Sequence, residues 1–112
     1  MASIMDEWTT SAQKRFEHIL TNEAAAVVHF KIPWFALCRI QETIVADLKR
    51  AYQGRVSFFE MNMEEYGETA KELEIQRVPT LIIFSDGEEI QRFVGLQSAD
   101  VLEKAIESAL KK

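Results

Sequence analysis

An almost unbroken apolar run over residues 24–30 is the feature that most constrains how this 112-residue chain can fold. It contains three alanines, two valines, His29 and Phe30, and it has no polar face to present to water. Such runs are typical of a central strand that is covered on both faces, as in parallel sheets with helices on each side. The run is far too short to cross a bilayer, which takes about 20 apolar residues. We therefore expect an α/β domain with this strand at its centre and no membrane partner.

Helical and strand patterns alternate through the rest of the chain. Apolar side chains recur at helical spacing over residues 35–52, with Gly54 just beyond the end, where a left-handed cap is favoured. Residues 56–61 predict a second strand, and residues 64–73 predict a weaker helix that contains Gly67. Residues 80–84 and 89–94 flank turn residues, which is the pattern of a β-hairpin. Ser98 then predicts the cap of a last helix that ends near Leu110.

The residues in front of the apolar run predict one further helix, over residues 10–20, and Ile4 and Met5 mark a candidate first strand. The whole chain, residues 1–112, is thus predicted to be one domain. Strands that alternate with helices pair in parallel, and the closing hairpin adds an antiparallel edge. We expect a central mixed sheet of four to five strands with helices on both faces.

Composition excludes several classes of function. Cys38 is the single cysteine, so an intramolecular disulfide and a cysteine-ligated metal site are both excluded. Neither His18 nor His29 has a partner at metal-binding spacing, and we expect no metal and no cofactor. The 18 acidic residues outnumber the 13 basic ones and give a net charge of −5, which disfavours nucleic acid as a partner. The first residues lack the pattern of a signal peptide, so we expect a cytoplasmic location.

Three short motifs carry a resemblance to a known family. Residues 34–38 read Trp-Phe-Ala-Leu-Cys at the start of the long helix, Val78 and Pro79 precede a strand, and Gly95 ends the hairpin. In this order the motifs resemble the thioredoxin family, whose active site is a Trp-Cys-Gly-Pro-Cys loop facing a cis-proline. The resemblance covers residues 5–110 and implies a thioredoxin fold with a cis peptide bond at Pro79.

The same resemblance implies that the redox site is incomplete. Phe35 stands where the family has its attacking cysteine, and Cys38 matches the cysteine that resolves the mixed disulfide. A chain with one thiol cannot form the intramolecular disulfide on which the two-electron cycle depends. We therefore do not expect dithiol–disulfide oxidoreductase activity.

His29 and Glu60 match the family's buried aspartate and its neighbouring lysine, so the resemblance implies a charge pair of reversed polarity. One hypothesis is that Glu60 orients His29, and that the imidazole accepts the proton of Cys38 or, when charged, favours its thiolate. The other is that His29 is a core residue and Cys38 an inert buried thiol, because free cysteines are among the most buried side chains.

Two functions follow from these hypotheses. The first is a non-catalytic module that binds a protein or an extended peptide segment in the groove beside the cis-proline. Its predicted contact residues are Trp34, Phe35, Val78, Pro79 and Gly95. The alternative is a monothiol redox protein, which forms mixed disulfides with glutathione or a client or senses oxidants. Its chemistry would use Cys38, His29 and Glu60. The sequence identifies neither the partner nor an oligomeric state.

Overall fold

The computed structural model describes residues 25–111, which form four strands and three helices. The elements are β1 (Ala25–Lys31), α1 (Ala36–Ala51), β2 (Ser57–Asn62), α2 (Gly67–Glu72), β3 (Thr80–Ser85), β4 (Glu88–Val94) and α3 (Ala99–Leu110). Their order confirms the sequence prediction for this part of the chain. The helix predicted over residues 10–20, with His18, and the candidate strand at Ile4 and Met5 lie outside the described residues.

The four strands form one mixed sheet in the order β2-β1-β3-β4. β1 pairs in parallel with β2, whereas its pairing with β3 and the β3–β4 pairing are antiparallel. The expectation that only the hairpin would be antiparallel is therefore wrong for the β1–β3 pair. α2 between β2 and β3 is short: its six residues rise only about 9 Å, roughly half the length of β2. The chain enters β3 at the edge where β2 ends, so β3 runs in the opposite direction.

β1 is buried on both faces, as the apolar run predicts. On one face Val27 belongs to a core cluster with Leu48 of α1 and Ile106 of α3. On the other face Val28 belongs to a second cluster with Ala70 of α2. Successive residues of a strand point to opposite faces, so an all-apolar strand requires cover on each side. Helices on both faces of a mixed sheet are thus confirmed.

The predicted turn and cap both form. Asp86 and Gly87 join β3 to β4 with φ values of 51° and 83°, and two left-handed residues in succession give the turn whose twist matches a hairpin. The side chain of Ser98 accepts a hydrogen bond from the backbone N–H of Val101, 3.3 Å away, at the start of α3. Together they fix the direction in which the chain leaves β4 and enters α3.

A buried glutamine ties α1 to the segment that follows β4. The buried positions of α1 are Cys38, Gln41, Val45 and Leu48. Gln41 is 0% exposed; its amide donates to the carbonyl oxygen of Gln97 at 3.1 Å and accepts from the N–H of Gln97 at 2.8 Å. One side chain thus satisfies both backbone groups of a residue outside any strand or helix, and it holds that segment beside α1.

We predict that Gln41→Leu lowers the free energy of unfolding by about 2 kcal/mol, because leaving a buried polar group unpaired costs about 1–3 kcal/mol. Urea denaturation measures this loss, and hydrogen exchange should show faster opening of the Gln97 amide. The matched control is Thr43→Ala, which removes an exposed bond from Thr43 to the Arg39 carbonyl and should change stability by less than about 0.5 kcal/mol. Equal stability of the two variants would contradict the assigned role of Gln41.

Candidate functional site

The predicted contact residues, with Cys38, lie in three segments that meet at one edge of the sheet, whereas His29 and Glu60 lie within β1 and β2. Phe30 pairs with Thr80, and Thr80 pairs with Val94, so the ends of β1 and β4 lie beside the start of β3. The residues just outside these strands are therefore neighbours. The backbone N–H of Gly95 donates to the carbonyl oxygen of Pro79 at 2.8 Å, and the Val78–Pro79 peptide bond is cis.

This edge carries the exposed apolar side chains of the described chain. Trp34 is 71% exposed and Phe35 38%, at the start of α1. The other large apolar side chains that are exposed in residues 25–111 are Leu37, Ile40, Val94, Leu96 and Val101. All of them lie in the segment 34–40, in residues 94–96 or in the first turn of α3. We call Trp34, Phe35, Leu37, Val94 and Leu96 the apolar rim.

The remaining predicted contact residues differ in what they expose. Val78 is half-buried, whereas the side chain of Pro79 is fully buried. The carbonyl oxygen of Pro79 accepts the hydrogen bond from Gly95, and the proline ring lies in the core. Gly95 has a φ of 94°, and a Cβ there would meet no atom within 4 Å. Conformation therefore requires the glycine, and open space remains above it for a ligand.

Cys38 lies in the first turn of α1 but faces the core, where it is 0% exposed. Burial raises the pKa of its thiol, a backbone hydrogen bond at Ile32 opposes that rise, the Glu42 carboxylate adds to it and Lys31 opposes it. His29 is not among these influences. A buried thiol with a raised pKa holds its proton and is a poor nucleophile. The assistance of Cys38 by His29 stays a prediction from the resemblance.

His29 and Glu60 are neighbours across the β1–β2 pair, in the register that the sequence comparison implied. The Nδ1 atom of His29 lies 3.5 Å from Oε2 of Glu60, which is longer than a normal hydrogen bond. Glu60 instead pairs with Lys31, whose Nζ lies 2.9 Å from Oε1, and Lys31 also pairs with Glu42 of α1. Lys31, and not His29, therefore forms the ion pairs with the carboxylates of this cluster. Neither ring nitrogen of His29 has a hydrogen-bond partner among residues 25–111.

Burial and neighbouring charges shift the pKa values of His29 and Lys31. Burial lowers the pKa of His29, and the nearby Glu60 carboxylate only partly offsets this effect. The imidazole is therefore neutral at pH 7. Burial also disfavours the charge on Lys31, but hydrogen bonds to Glu42 and Glu60 outweigh it and raise the pKa of the ammonium group. The cluster thus combines one shared cation, two carboxylates and a neutral imidazole.

Sequence reasoning missed Lys31, Glu42 and Gln41 as parts of the site. Two simple periodicities could have found the first two. Lys31 is two residues after His29 and so lies on the same strand face, and Glu42 is four residues after Cys38 and so lies on the same helix face. Gln41 interrupts an apolar helix pattern, and nothing in the sequence indicates that it bonds to Gln97.

A mixed sheet of this order, with helices on both faces and a cis-proline beside the first turn of a long helix, defines a thioredoxin-fold protein. The sequence model of the Thioredoxin family matches residues 7–108. The chain therefore belongs to the thioredoxin family. The thioredoxin of Synechocystis sp. is 31% identical over 94 residues, which cover 84% of this chain and 88% of that protein. Thioredoxin M4, chloroplastic, of Arabidopsis thaliana is 34% identical over 104 residues, or 93% of this chain.

The chain spans about half the length of its chloroplastic relatives, 50% of the Arabidopsis protein and 54% of thioredoxin M3 of rice. Solved structures agree with the fold. A mutant thioredoxin from Halobacterium salinarum superposes with a TM-score of 0.80 at 28% identity, over 88% of this chain and 85% of that one. The oxidized mitochondrial thioredoxin 3 of Saccharomyces cerevisiae gives 0.78 at 26% identity, over 85% and 88%.

Residues 25–111 contain neither a membrane-spanning helix nor a metal-binding cluster. No helix within residues 25–111 is long and apolar enough to cross a membrane. No group of three or more histidine, cysteine, aspartate or glutamate side chains in the same part of the chain is placed to hold a metal ion.

We predict that His29 makes the folded state less stable in mild acid. Its pKa is lowered below the ordinary 6.5 in the folded state, so the unfolded chain binds the proton more readily. The contribution of His29 is fully present above pH 6.5 and is lost as the pH falls through the folded pKa. Urea denaturation between pH 7 and pH 5 measures the resulting slope. His29→Leu, which removes the titrating group from a buried site, should lose most of it, and an unchanged slope would contradict the assignment.

Proposed function

We propose that this protein is a non-catalytic member of the thioredoxin family that binds an extended polypeptide segment across the apolar rim. The observation that carries the proposal is the surroundings of the two positions at which the family has its cysteines. Phe35 is partly exposed where the family has its attacking thiol, and the one cysteine, Cys38, is fully buried. The position that would carry the reaction is therefore an apolar contact surface.

The backbone around the rim supports an extended ligand. Gly95 leaves open space above it, and the half-buried Val78 lies just before the start of β3. An extended segment can lie along such a surface while its side chains occupy apolar positions. Clustered exposed apolar side chains typically mark a surface that binds a partner. Trp34 and Phe35 supply the large, rigid side chains that most often dominate such contacts.

The monothiol alternative lacks a favouring observation. Mixed-disulfide formation and oxidant sensing both need a thiol that is accessible and has a low pKa. Cys38 is 0% exposed and its pKa is raised. We therefore propose that Cys38 and His29 are core residues, and that Glu60 serves the ion pair with Lys31 rather than a reaction. The cytoplasmic location stays a prediction from the sequence, since the relatives include chloroplastic proteins.

Selection from a phage-displayed library of random octapeptides tests this proposal. We expect the wild-type chain to enrich a common set of sequences, and Phe35→Asp to lose that set because a charge replaces the central apolar contact. Cys38→Ala should retain the set. The matched control is Ala46→Asp, which places the same charge on an exposed position of the same helix, away from the rim.

Two outcomes would contradict the proposal. Retention of the enriched set by Phe35→Asp would remove the rim as the contact surface. Enrichment of cysteine-containing peptides only, released by reductant and lost in Cys38→Ala, would favour the monothiol alternative.

A further inference from the structure

The arginines of the described chain fall into two groups. Arg50 pairs with Asp47, Arg55 with Glu107 and Arg92 with Glu89. Arg39 and Arg77, the other two arginines within residues 25–111, have no carboxylate partner in that part of the chain, and both are exposed. Acidic residues outnumber basic ones in the chain, 18 to 13, yet within residues 25–111 these two arginines have no carboxylate partner.

Both unpaired arginines flank the apolar rim. Arg77 immediately precedes Val78, and its carbonyl oxygen accepts a hydrogen bond from the Thr80 hydroxyl, which fixes the backbone at that point. Arg39 follows Phe35 by four residues, and residues four apart lie on the same side of a helix. The rim is thus bordered by positive charge on the β3 side and on the α1 side.

Arg77 also lines a cleft of about 200 Å³ beside the rim. Val94 lines the same cleft and, at 54% exposed, belongs to the rim. Arg92 is a second arginine in the cleft, but its guanidinium already bonds to both oxygens of Glu89 and to the carbonyl oxygen of Leu73. Arg77 is therefore the guanidinium in this cleft with donors to spare.

We propose that the segment bound at the rim is acidic: it places an aspartate or glutamate carboxylate against Arg77 and an apolar side chain against Trp34 and Phe35. This inference rests on the proposed function and specifies its partner. A guanidinium presents paired N–H donors that match the two oxygens of a carboxylate. The contact lies beside apolar side chains, where partial exclusion of water strengthens it. Glu74 also lines the cleft, and its carboxylate acts on Arg92.

A different polypeptide fits this surface better than a second copy of the chain. In a twofold pairing of identical surfaces each rim would face the other rim, with the same arginines along the border of both. Opposed arginines repel each other, whereas an acidic segment neutralises them. Charge complementarity therefore assigns the rim to a different chain.

The octapeptide selection tests the inference directly. We expect the peptides enriched by the wild-type chain to contain more aspartate and glutamate than the input library. Arg77→Gln should lose this excess while keeping the apolar positions. Arg50→Gln removes the same charge at the far end of α1, and it should keep the excess.

Affinities of synthetic peptides then give the magnitude. For an acidic peptide from the enriched set, Arg77→Gln should weaken binding about tenfold, since a hydrogen bond to a charged group is worth about 1.5–3 kcal/mol. It should also remove most of the weakening that added salt causes in the wild-type chain. The asparagine and glutamine version of the peptide should bind both chains equally.

The outcomes separate this inference from the function on which it rests. An enriched apolar set without acidic excess, still lost in Phe35→Asp, would overturn the acidic partner and leave the binding function standing. Absence of any set that depends on Phe35 would overturn both. A dimer in sedimentation analysis that Phe35→Asp abolishes would assign the rim to a second copy and would also overturn the inference.

Discussion

Burial of β1 on both faces is the constraint on which the rest of the described structure depends. Its side chains divide between two core clusters, one with α1 and α3 and one with α2, so the strand fixes where each helix can lie. Because β2 is parallel to β1 and β3 is antiparallel to it, the end of β1 meets the start of β3. This arrangement places residues 32–35 beside the cis-proline. Gln41, through its two bonds to Gln97, closes the same edge from the side of α1.

The same burial underlies the proposal that the site binds a partner and carries no reaction. An unpaired charge in the middle of β1 would destabilise the folded state. This is avoided because His29 is neutral and because Lys31 is shared between two carboxylates. Lys31 can reach them because it stands at the end of the strand, where the side chain is only partly enclosed. Lys31 favours the thiolate of Cys38, but burial outweighs this effect and raises the pKa of the thiol. Phe35, at the position where the family has its attacking cysteine, is an exposed apolar side chain, and the thiol of Cys38 lies in the core.

The sequence predicted most of the fold and only part of the site, for physical reasons that differ. Strand and helix patterns are local, so β1, α1, the hairpin turn and the Ser98 cap could all be predicted from spacing and turn residues. The direction of β3 depends on how far α2 carries the chain, which apolar spacing does not reveal. Exposure of Phe35 could be predicted from its place in a strand-to-helix loop. The bonds of Gln41 and the lack of a carboxylate partner for Arg77 within residues 25–111 depend on contacts between distant segments, and one sequence carries no signal for them.

The central claim, that this thioredoxin-family protein acts through what it binds and not through its thiol, is tested most directly by alkylating Cys38. The rate of reaction with iodoacetamide is measured in the folded protein across a range of pH and compared with the rate in urea, using intact mass. The account predicts that the folded protein reacts only as fast as it opens, with no titration step below the ordinary thiol pKa of about 8.5. Rapid, complete alkylation of the folded protein with an apparent pKa well below that value would contradict it.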